Sequence, residues 1–436
     1  MHSIWTKRGA SLSKCGGKCT CCDGCDGGEQ VVKGKQGSRG ETLKGGSKMH
    51  TKHWKNWTIG AVVLIMVIML AGCPQKRTSQ PPTLPTTKQQ TIKIGAVLPL
   101  SGPSAQYGKW IQEGLELGRE EINSQGGING KQLEIIYEDD QAQPRMAASA
   151  MQKLVTTDKV PVVFGSWASS CVLAQAPIAE RTRTVIMAIA ISPKIRDAGD
   201  YTFRIQPDAR YYLRQLVPFV CDKLKIRRVC ILYVNNDFGV DQAKVFQMEF
   251  EKRGGKVLSS EGFTQGATDF RAQLSKIRVL NPEAVFMPAY TEAGYILKQA
   301  RELGIKAQFI GSVPFENPDI LKIAGKTAEG VIYPHHFDPD SPDPLVREYQ
   351  RKYVKKYGRK SEGFAALAYD GIRIIAETLK KCGNDATCIK DALYKVKDFP
   401  GVTGPTSFDD HGDVVKPIVI KTVRNGAFVR YEGNTQ

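Results

Sequence analysis

Two adjacent serines mark a place where this sequence could bind a small anion. Ser169 and Ser170 follow a predicted strand from Val160 to Phe164 and stand where the next helix should begin. A hydroxyl at a helix start can cap free backbone amides, and those amides together with the helix dipole favour a negative charge. The pattern therefore predicts either an anion site or a plain helix cap at this position.

Aromatic side chains follow other predicted strands and could form the walls of the same site. Open α/β sheets bind ligands at the carboxyl ends of their strands, although aromatic residues there are also common in the core. The four aromatic candidates are Tyr107, Trp167, Phe238 and Tyr290.

Catalysis is not indicated, because no nucleophile, histidine and acid stand in a credible arrangement. We therefore expect a protein that is not an enzyme. We also expect no metal and no cofactor. The cysteines from Cys15 to Cys25 lack a second pair at zinc-finger spacing, and the glycine-rich turn at 126–130 ends a predicted helix where a phosphate loop would open one.

Strands and helices alternate from residue 92 to residue 311, in two runs that meet near Pro207. Such alternation predicts an α/β fold with two mostly parallel sheets, each covered by helices on both faces. The three predicted helices between 344 and 396 follow one another without a strand, so they should pack onto an existing layer.

Cys73 is a predicted site of covalent modification. An uncharged apolar run from Ile59 to Leu70 follows two lysines, and Leu70-Ala71-Gly72 precedes the cysteine. A basic start, a short apolar run and small residues are typical of an export signal, and a run of about twelve residues is too short to span a bilayer. The stretch resembles a bacterial lipoprotein signal, which implies a lipidated Cys73. An ordinary signal peptide or a short anchor with a chance cysteine is the alternative.

The sequence before the folded body divides into three segments. We interpret residues 1–48 as a disordered extension that could reflect a mis-assigned start, 49–73 as the lipoprotein signal and 74–91 as a flexible tether rich in Pro, Thr and Gln.

The formal net charge of the sequence is +17. Because the basic residues are scattered along helices, we expect no nucleic-acid binding.

Two cysteine pairs are candidate disulfides in an oxidising compartment. Cys382 and Cys388 bracket a turn-like spacer, and Cys221 and Cys230 flank a short basic connection between a helix and a strand.

Short motifs in a fixed order carry a family resemblance along most of residues 92–433. They are Ser-Gly-Pro and Tyr-Gly between 101 and 108, Gly-Gly-Ile-Asn-Gly at 126–130, the serine loop at 165–170, Tyr233 to Gly239, Ala324 to Val331 and Gly404 to Asp413. The chain resembles the periplasmic binding proteins of the leucine/isoleucine/valine-binding type.

The resemblance implies a two-lobed periplasmic binding protein type I fold that closes on a small ligand. Three crossovers would lie near Pro207, Pro334 and Pro405. One lobe would then comprise 92–207 plus 335–405, and the other 208–334 plus 406–433.

The resemblance also implies roles for site residues. Ser169 matches the serine that holds the ligand's α-carboxylate, and Ala190 and Ser192 lie in the stretch that contacts the ligand's amino end. Ser192 stands near the place of a threonine, and Val313 stands where an acid is expected. Either Glu316 or Ser192 substitutes, or the ligand is not a standard α-amino acid.

The function that follows is a lipid-anchored substrate-binding component of an ABC importer, which presents its ligand to a membrane permease. The ligand would be an amino acid of the branched-chain type or a related small polar molecule. We expect a monomer outside the cytoplasm, in the periplasm or at the cell surface. The alternative is an extracytoplasmic sensor for amides or short carboxylates that signals to a membrane partner.

Overall fold

The structure is a computed structural model that describes residues 91–432. The disordered extension, the lipoprotein signal with Cys73 and most of the tether, predicted for residues 1–90, lie outside the described residues. Within 91–432, no helix combines the length and the apolar character needed to cross a bilayer.

The first sheet contains five parallel strands in the order β2-β1-β3-β4-β5. Its central strands β3 and β4 are buried at every residue, as expected for a parallel sheet covered on both faces. The strands are β1 (Thr91–Leu98), β2 (Gln132–Asp139), β3 (Val162–Phe164), β4 (Val185–Ala188) and β5 (Thr202–Arg204). The connecting helices are α1 (Ala105–Ser124), α2 (Pro144–Thr156) and α3 (Ser169–Thr182).

The second sheet has seven strands in the order β12-β11-β10-β9-β8-β6-β7. Strands β6 to β10 pair in parallel, and β11 and β12 add an antiparallel edge. The strands are β6 (Arg228–Val234), β7 (Lys256–Phe263), β8 (Ala284–Met287), β9 (Gln308–Gly311), β10 (Ile332–His335), β11 (Val419–Arg424) and β12 (Ala427–Arg430). The helices of this part are α4 (Ala209–Pro218), α5 (Asp237–Lys252), α6 (Arg271–Leu280), α7 (Glu292–Glu302) and α8 (Pro318–Ala324).

Three consecutive helices return the chain to the first sheet before β11 and β12 rejoin the second. They are α9 (Pro344–Tyr357), α10 (Gly363–Cys382) and α11 (Ala386–Tyr394). Helix α10 packs along α1, and α11 contacts β4. The predicted α/β fold with two mostly parallel sheets is therefore confirmed, whereas the residue limits assigned to the two lobes stay a prediction.

The sequence reading missed the strands β5, β10, β11 and β12 and the short helix α8. Strand β5 has three residues, and β10 and β12 have four each, too few for a clear periodicity. Strand β11 pairs with β10, about ninety positions earlier in the chain, and local sequence carries no signal for such pairing. The three strands β10–β12 extend the second sheet beyond the predicted alternation.

The cysteines are paired in only one of the two predicted ways. Cys382 and Cys388 form a disulfide with Cα atoms 5.6 Å apart. The second predicted pair is wrong: Cys221 and Cys230 are both free, buried thiols. Cys221 packs on the same side as Val229 and Ile231, and Cys230 packs on the opposite side, because successive side chains of a strand alternate between the faces of the sheet.

Helices α1 and α10 approach each other so closely that position 114 of α1 has no room for a side chain. A Cβ atom on the buried Gly114 would lie 2.1 Å from the backbone carbonyl oxygen of Ala365. Since that contact involves backbone, it cannot be relieved by rotating a side chain. The packing of α10 onto the first sheet therefore depends on glycine at this position.

We predict that Gly114→Ala lowers the free energy of unfolding by about 1–3 kcal/mol or more, the usual cost of overpacking a tight contact. Lys109→Ala, at an exposed position of the same helix, is the control and should change stability by about 0.5 kcal/mol or less. Denaturant unfolding of both variants provides the measurement. Equal stability of the two variants would contradict the close approach of α1 and α10.

Candidate ligand-binding site

A cavity of about 10 Å³, which has room for about one water molecule, lies where the carboxyl ends of strands from both sheets meet. Its lining comes from the loops after β3, β4, β5, β6, β8 and β9 and from the start of α10. Strand ends of this kind are where open α/β sheets bind ligands. The lining residues are Trp167, Ser169, Ala190, Ile191, Gln206, Phe238, Tyr290, Pro314 and Phe364.

Four aromatic rings pack in a row at the cavity, as two stacked pairs that meet at a tilt of 49° between Trp167 and Tyr290. Tyr107 stacks on Trp167 with ring centroids 4.2 Å apart, and Trp167 lies 4.7 Å from Tyr290. Tyr290 in turn stacks on Phe238 at 4.6 Å. The structure thus brings together the four aromatic residues that the sequence singled out, two from each half of the chain. Trp167, Phe238 and Tyr290 line the cavity and give it an aromatic wall, whereas Tyr107 packs against Trp167 and is not part of the lining.

A buried hydrogen bond joins the two halves beside this stack. The Tyr107 hydroxyl donates to the backbone carbonyl of Pro314 at 2.9 Å. Burial raises the pKa of Tyr107, so the phenol stays neutral and remains a donor. Tyr107 therefore packs behind Trp167 and fixes its ring in place.

Ser169 lies at the polar end of the cavity as the first residue of helix α3. Its hydroxyl accepts a hydrogen bond from the backbone amide of Ser192 at 3.2 Å. The residue before the helix, Ala168, provides no side-chain cap. Because the first amides of a helix lack intrahelical partners, this end of α3 can receive an anion.

Ser170 does not line the cavity, although it is adjacent to Ser169 on the helix. Successive helix positions point about 100° apart around the axis, so two neighbours can have different surroundings. Ser169 is therefore the serine of this pair that the structure places at the cavity.

The polar groups of Ser192 all make hydrogen bonds to other residues of the protein. Its hydroxyl donates to the Asp241 carboxylate and accepts from the Lys194 amide, and its carbonyl accepts from the Arg204 guanidinium at 2.7 Å. It lies behind Ser169 and is not part of the cavity lining. Its backbone amide positions the Ser169 hydroxyl, while Ala190 of the same stretch does line the cavity.

Glu316 does not supply a free negative charge to the cavity. Its carboxylate accepts from Lys421 Nζ at 2.6 and 2.7 Å and from the Tyr333 hydroxyl at 2.8 Å. All of these groups are buried, and Glu316 lies outside the cavity lining. Because Lys421 neutralises the charge of Glu316, the geometry speaks against Glu316 as the replacement for the expected acid, and its contact with the ligand stays a prediction.

Another buried acid, Glu292, is held by the backbone near the aromatic stack. Its two oxygens accept from the amides of Gly266 at 2.7 Å and Tyr290 at 3.0 Å. Burial raises the pKa of Glu292. Its role in the structure is to fix the loop that carries Tyr290.

The sequence reading missed four lining residues: Ile191, Gln206, Pro314 and Phe364. Gln206 follows the short strand β5, which was not predicted. Phe364 is the second residue of α10, which reaches the site only after the chain has returned from the second sheet.

Comparisons with known proteins identify the relatives of this chain. A family model described as "Periplasmic binding protein" matches residues 91–427. The leucine-, isoleucine-, valine-, threonine- and alanine-binding protein of Pseudomonas aeruginosa is 30% identical over 331 residues, which are 74% of this chain and 87% of that protein.

Two solved structures are similar over 78% of this chain. One is a leucine-binding protein from Thermotoga maritima, with a TM-score of 0.75, 26% identity and 98% of its chain covered. The other is a branched-chain amino acid transporter substrate-binding protein from Streptococcus pneumoniae in complex with isoleucine, with a TM-score of 0.73, 32% identity and full coverage. These relatives are binding proteins by name.

We predict that Glu316→Gln lowers the free energy of unfolding by about 3–5 kcal/mol, because it leaves the Lys421 ammonium buried without its counter-ion. Glu120→Gln is the matched control. Its partner, Lys356, lies 2.7 Å away, and both side chains of that pair are partly exposed, so the loss should be about 1 kcal/mol or less. Denaturant titration of both variants measures the difference. A loss no larger than that of the control would contradict the buried ion pair.

Proposed function

The chain belongs to the periplasmic binding protein family, and we propose that it is a lipid-anchored substrate-binding component of an ABC importer. The family implies a solute-binding protein that works outside the cytoplasm. We propose further that the ligand is an amino acid of the branched-chain type. The ligands named for the relatives, leucine and isoleucine among them, support this class.

One observation carries the proposal: the start of helix α3 and an aromatic wall enclose the same cavity. Ser169 and the first amides of α3 suit a carboxylate. The wall of Trp167, Tyr290 and Phe238 suits an aliphatic side chain, which gains free energy when it is removed from water. An amino acid of the branched-chain type presents these two kinds of group a few bonds apart.

Residues from both sheets line the cavity, which must widen to admit an amino acid, and a ligand bound there would contact both halves of the molecule at once. A ligand that binds the closed arrangement more tightly than an open one shifts the population towards closure. In the proposed importer, the permease would recognise the closed form and receive the ligand from it. The lipid on Cys73 would keep the binding protein close to that permease.

We predict that leucine, isoleucine or valine raises the melting temperature of the purified protein and is not consumed. Ser169→Ala should weaken the binding of the amino acid by about 1–3 kcal/mol, or about 5- to 150-fold in affinity. The reason is that an oxygen of the ligand's carboxylate loses its hydroxyl partner. Ser170→Ala, one position along the helix and outside the cavity lining, is the control. Calorimetry with the wild type and both variants is the measurement. Full affinity in Ser169→Ala would contradict the carboxylate assignment.

We predict that Cys73→Ser releases the protein into the soluble fraction or leaves its signal uncleaved, because the residue that accepts the lipid is gone. Cys25→Ser, in the extension before the signal, should leave membrane attachment unchanged. Membrane fractionation and intact-mass measurement report both outcomes. Unchanged attachment and processing of Cys73→Ser would refute the lipid anchor.

A further inference from the structure

A pair of adjacent histidines is buried where the chain leaves the second sheet. His335 is the last residue of β10, and His336 follows it on the way to α9 and α10. Both side chains are buried, and their rings stack with centroids 4.6 Å apart. Neither histidine belongs to the cavity lining. The pair is therefore a buried titratable element that the proposed binding mechanism does not use.

Both halves of the molecule contact this histidine pair. The hydroxyl of Tyr212, on α4 of the second half, lies 2.7 Å from His336 Nδ1. On the side of the first half, Gly363 begins α10 and packs directly on the two rings. A Cβ atom on Gly363 would lie 2.5 Å from His335 Cε1 and 2.7 Å from His336 Nε2. The two halves cannot separate here without changing one of these contacts.

Phe364 connects the histidine pair to the cavity. Its ring lines the cavity and lies edge-to-face with His336, with centroids 6.1 Å apart. Trp167 of the aromatic wall packs on Phe364 as well, at 6.3 Å. A ligand that holds Phe364 in the closed arrangement therefore also holds the start of α10 against the imidazoles.

The surroundings of the pair favour neutral imidazoles. Burial lowers the pKa of His335 to about 3, and the Lys421 ammonium adds to the effect. Burial also lowers the pKa of His336, and the neighbouring His335 and the Lys416 ammonium lower it further. An imidazolium donates from both ring nitrogens, yet His335 Nε2 has no hydrogen-bond partner within residues 91–432.

The acids near the pair are already engaged by other groups. Glu316 Oε2 lies 3.9 Å from His335 Nδ1, but Lys421 balances the charge of Glu316. Glu362 accepts from two backbone amides at the start of its own helix, α10. Protonating the pair in the closed arrangement therefore costs free energy, which hydration restores once water reaches the rings. The titratable groups that surround the pair are Tyr212, Glu316, Tyr333, Glu362, Lys416 and Lys421.

We infer that His335 and His336 form an acid-sensitive element of closure, so that protonation of the pair favours the open form and releases the ligand. This inference rests on the proposed amino-acid-binding function and adds its regulation by pH. A hydrated imidazole binds a proton below about pH 6.5, whereas the closed form keeps the pair neutral to a much lower pH. Acid therefore stabilises the open form, and the effect disappears as the pH rises above that value.

The test is calorimetry of leucine binding to the full-length protein at about pH 7.5 and about pH 5.5, on either side of the ordinary histidine pKa. Leucine keeps both of its charges over this range. The double variant His335→Asn/His336→Gln replaces the imidazoles with amides that do not titrate. The loss of affinity between the two pH values should be about 10-fold larger in the wild type than in the double variant, the effect of one proton that only the open form binds.

His411→Gln is the matched control, because His411 is an exposed histidine outside the pair. It should keep the pH dependence of the wild type. Glu362 titrates with the opposite sign, since burial raises its pKa and favours the closed form as the pH falls. Glu362 is present in all three proteins, so the difference between them isolates the imidazoles. Equal pH dependence of the wild type and the double variant would overturn the inference.

NMR of the histidine rings of the wild-type protein is a second test, which does not depend on the folding of a variant. Two imidazoles should titrate in the free protein near their ordinary pKa and stop titrating when leucine is bound, whereas His411 should titrate in both states. The same set of titrating imidazoles with and without leucine would contradict the role of the pair.

The failure of this inference differs from the failure of the proposed function. A protein that binds leucine with the same pH dependence in the wild type and the double variant would lose the acid-sensitive element and remain an amino-acid-binding protein. A protein that binds no branched-chain amino acid at either pH would overturn both proposals.

Discussion

A fully buried guanidinium, that of Arg204, holds together the segments on which the site depends. It donates to Asp413 Oδ1 at 2.5 and 2.8 Å and to the Ser192 carbonyl at 2.7 Å. Asp208, which caps helix α4, lies 3.9 Å away. A buried charge without such partners costs several kcal/mol, so Arg204 stabilises the structure only while these segments stay in place. The loop of Ser192, the start of α4 and the chain before β11 are fixed relative to one another in this way.

The position of Ser192 carries this constraint into the cavity. The Ser192 carbonyl accepts a hydrogen bond from Arg204. The Ser192 amide donates to the Ser169 hydroxyl, and the Ser192 hydroxyl donates to Asp241. The polar groups of the cleft are thereby gathered at one end, and the aromatic rings occupy the remainder. This separation of a charged end from an apolar wall is what a small zwitterion with an aliphatic side chain requires.

The second half of the molecule contains a buried ion pair of its own, outside the cavity lining. Glu316 and Lys421 neutralise each other inside the protein, with the Tyr333 hydroxyl as a third partner. Such a pair adds little net stability compared with apolar residues, but each member is costly to remove alone. Strand β11, which carries Lys421, therefore contributes to the surroundings of the site as well as to the edge of the sheet.

The sequence by itself determined the features that depend on neighbouring residues. Alternating buried strands and helices predicted two mostly parallel sheets, and the turn from a strand into α3 predicted Ser169 at a strand end. Trp167, Phe238 and Tyr290 were identified for the same reason, because the end of a strand can be recognised locally. The family motifs added the order of these loops and the expectation of a shared cleft.

Only the tertiary structure decided which side chains become partners. Lys421 neutralises Glu316 across 105 positions of sequence, and Asp413 reaches Arg204 across 209. Cys230 is close to Cys221 in sequence, yet the pleat of β6 turns Cys230 away from the side of the sheet on which Cys221 packs. Electrostatic and packing energies depend on distances in space, and those distances are set by how the sheets and returning helices assemble, which local periodicity does not encode.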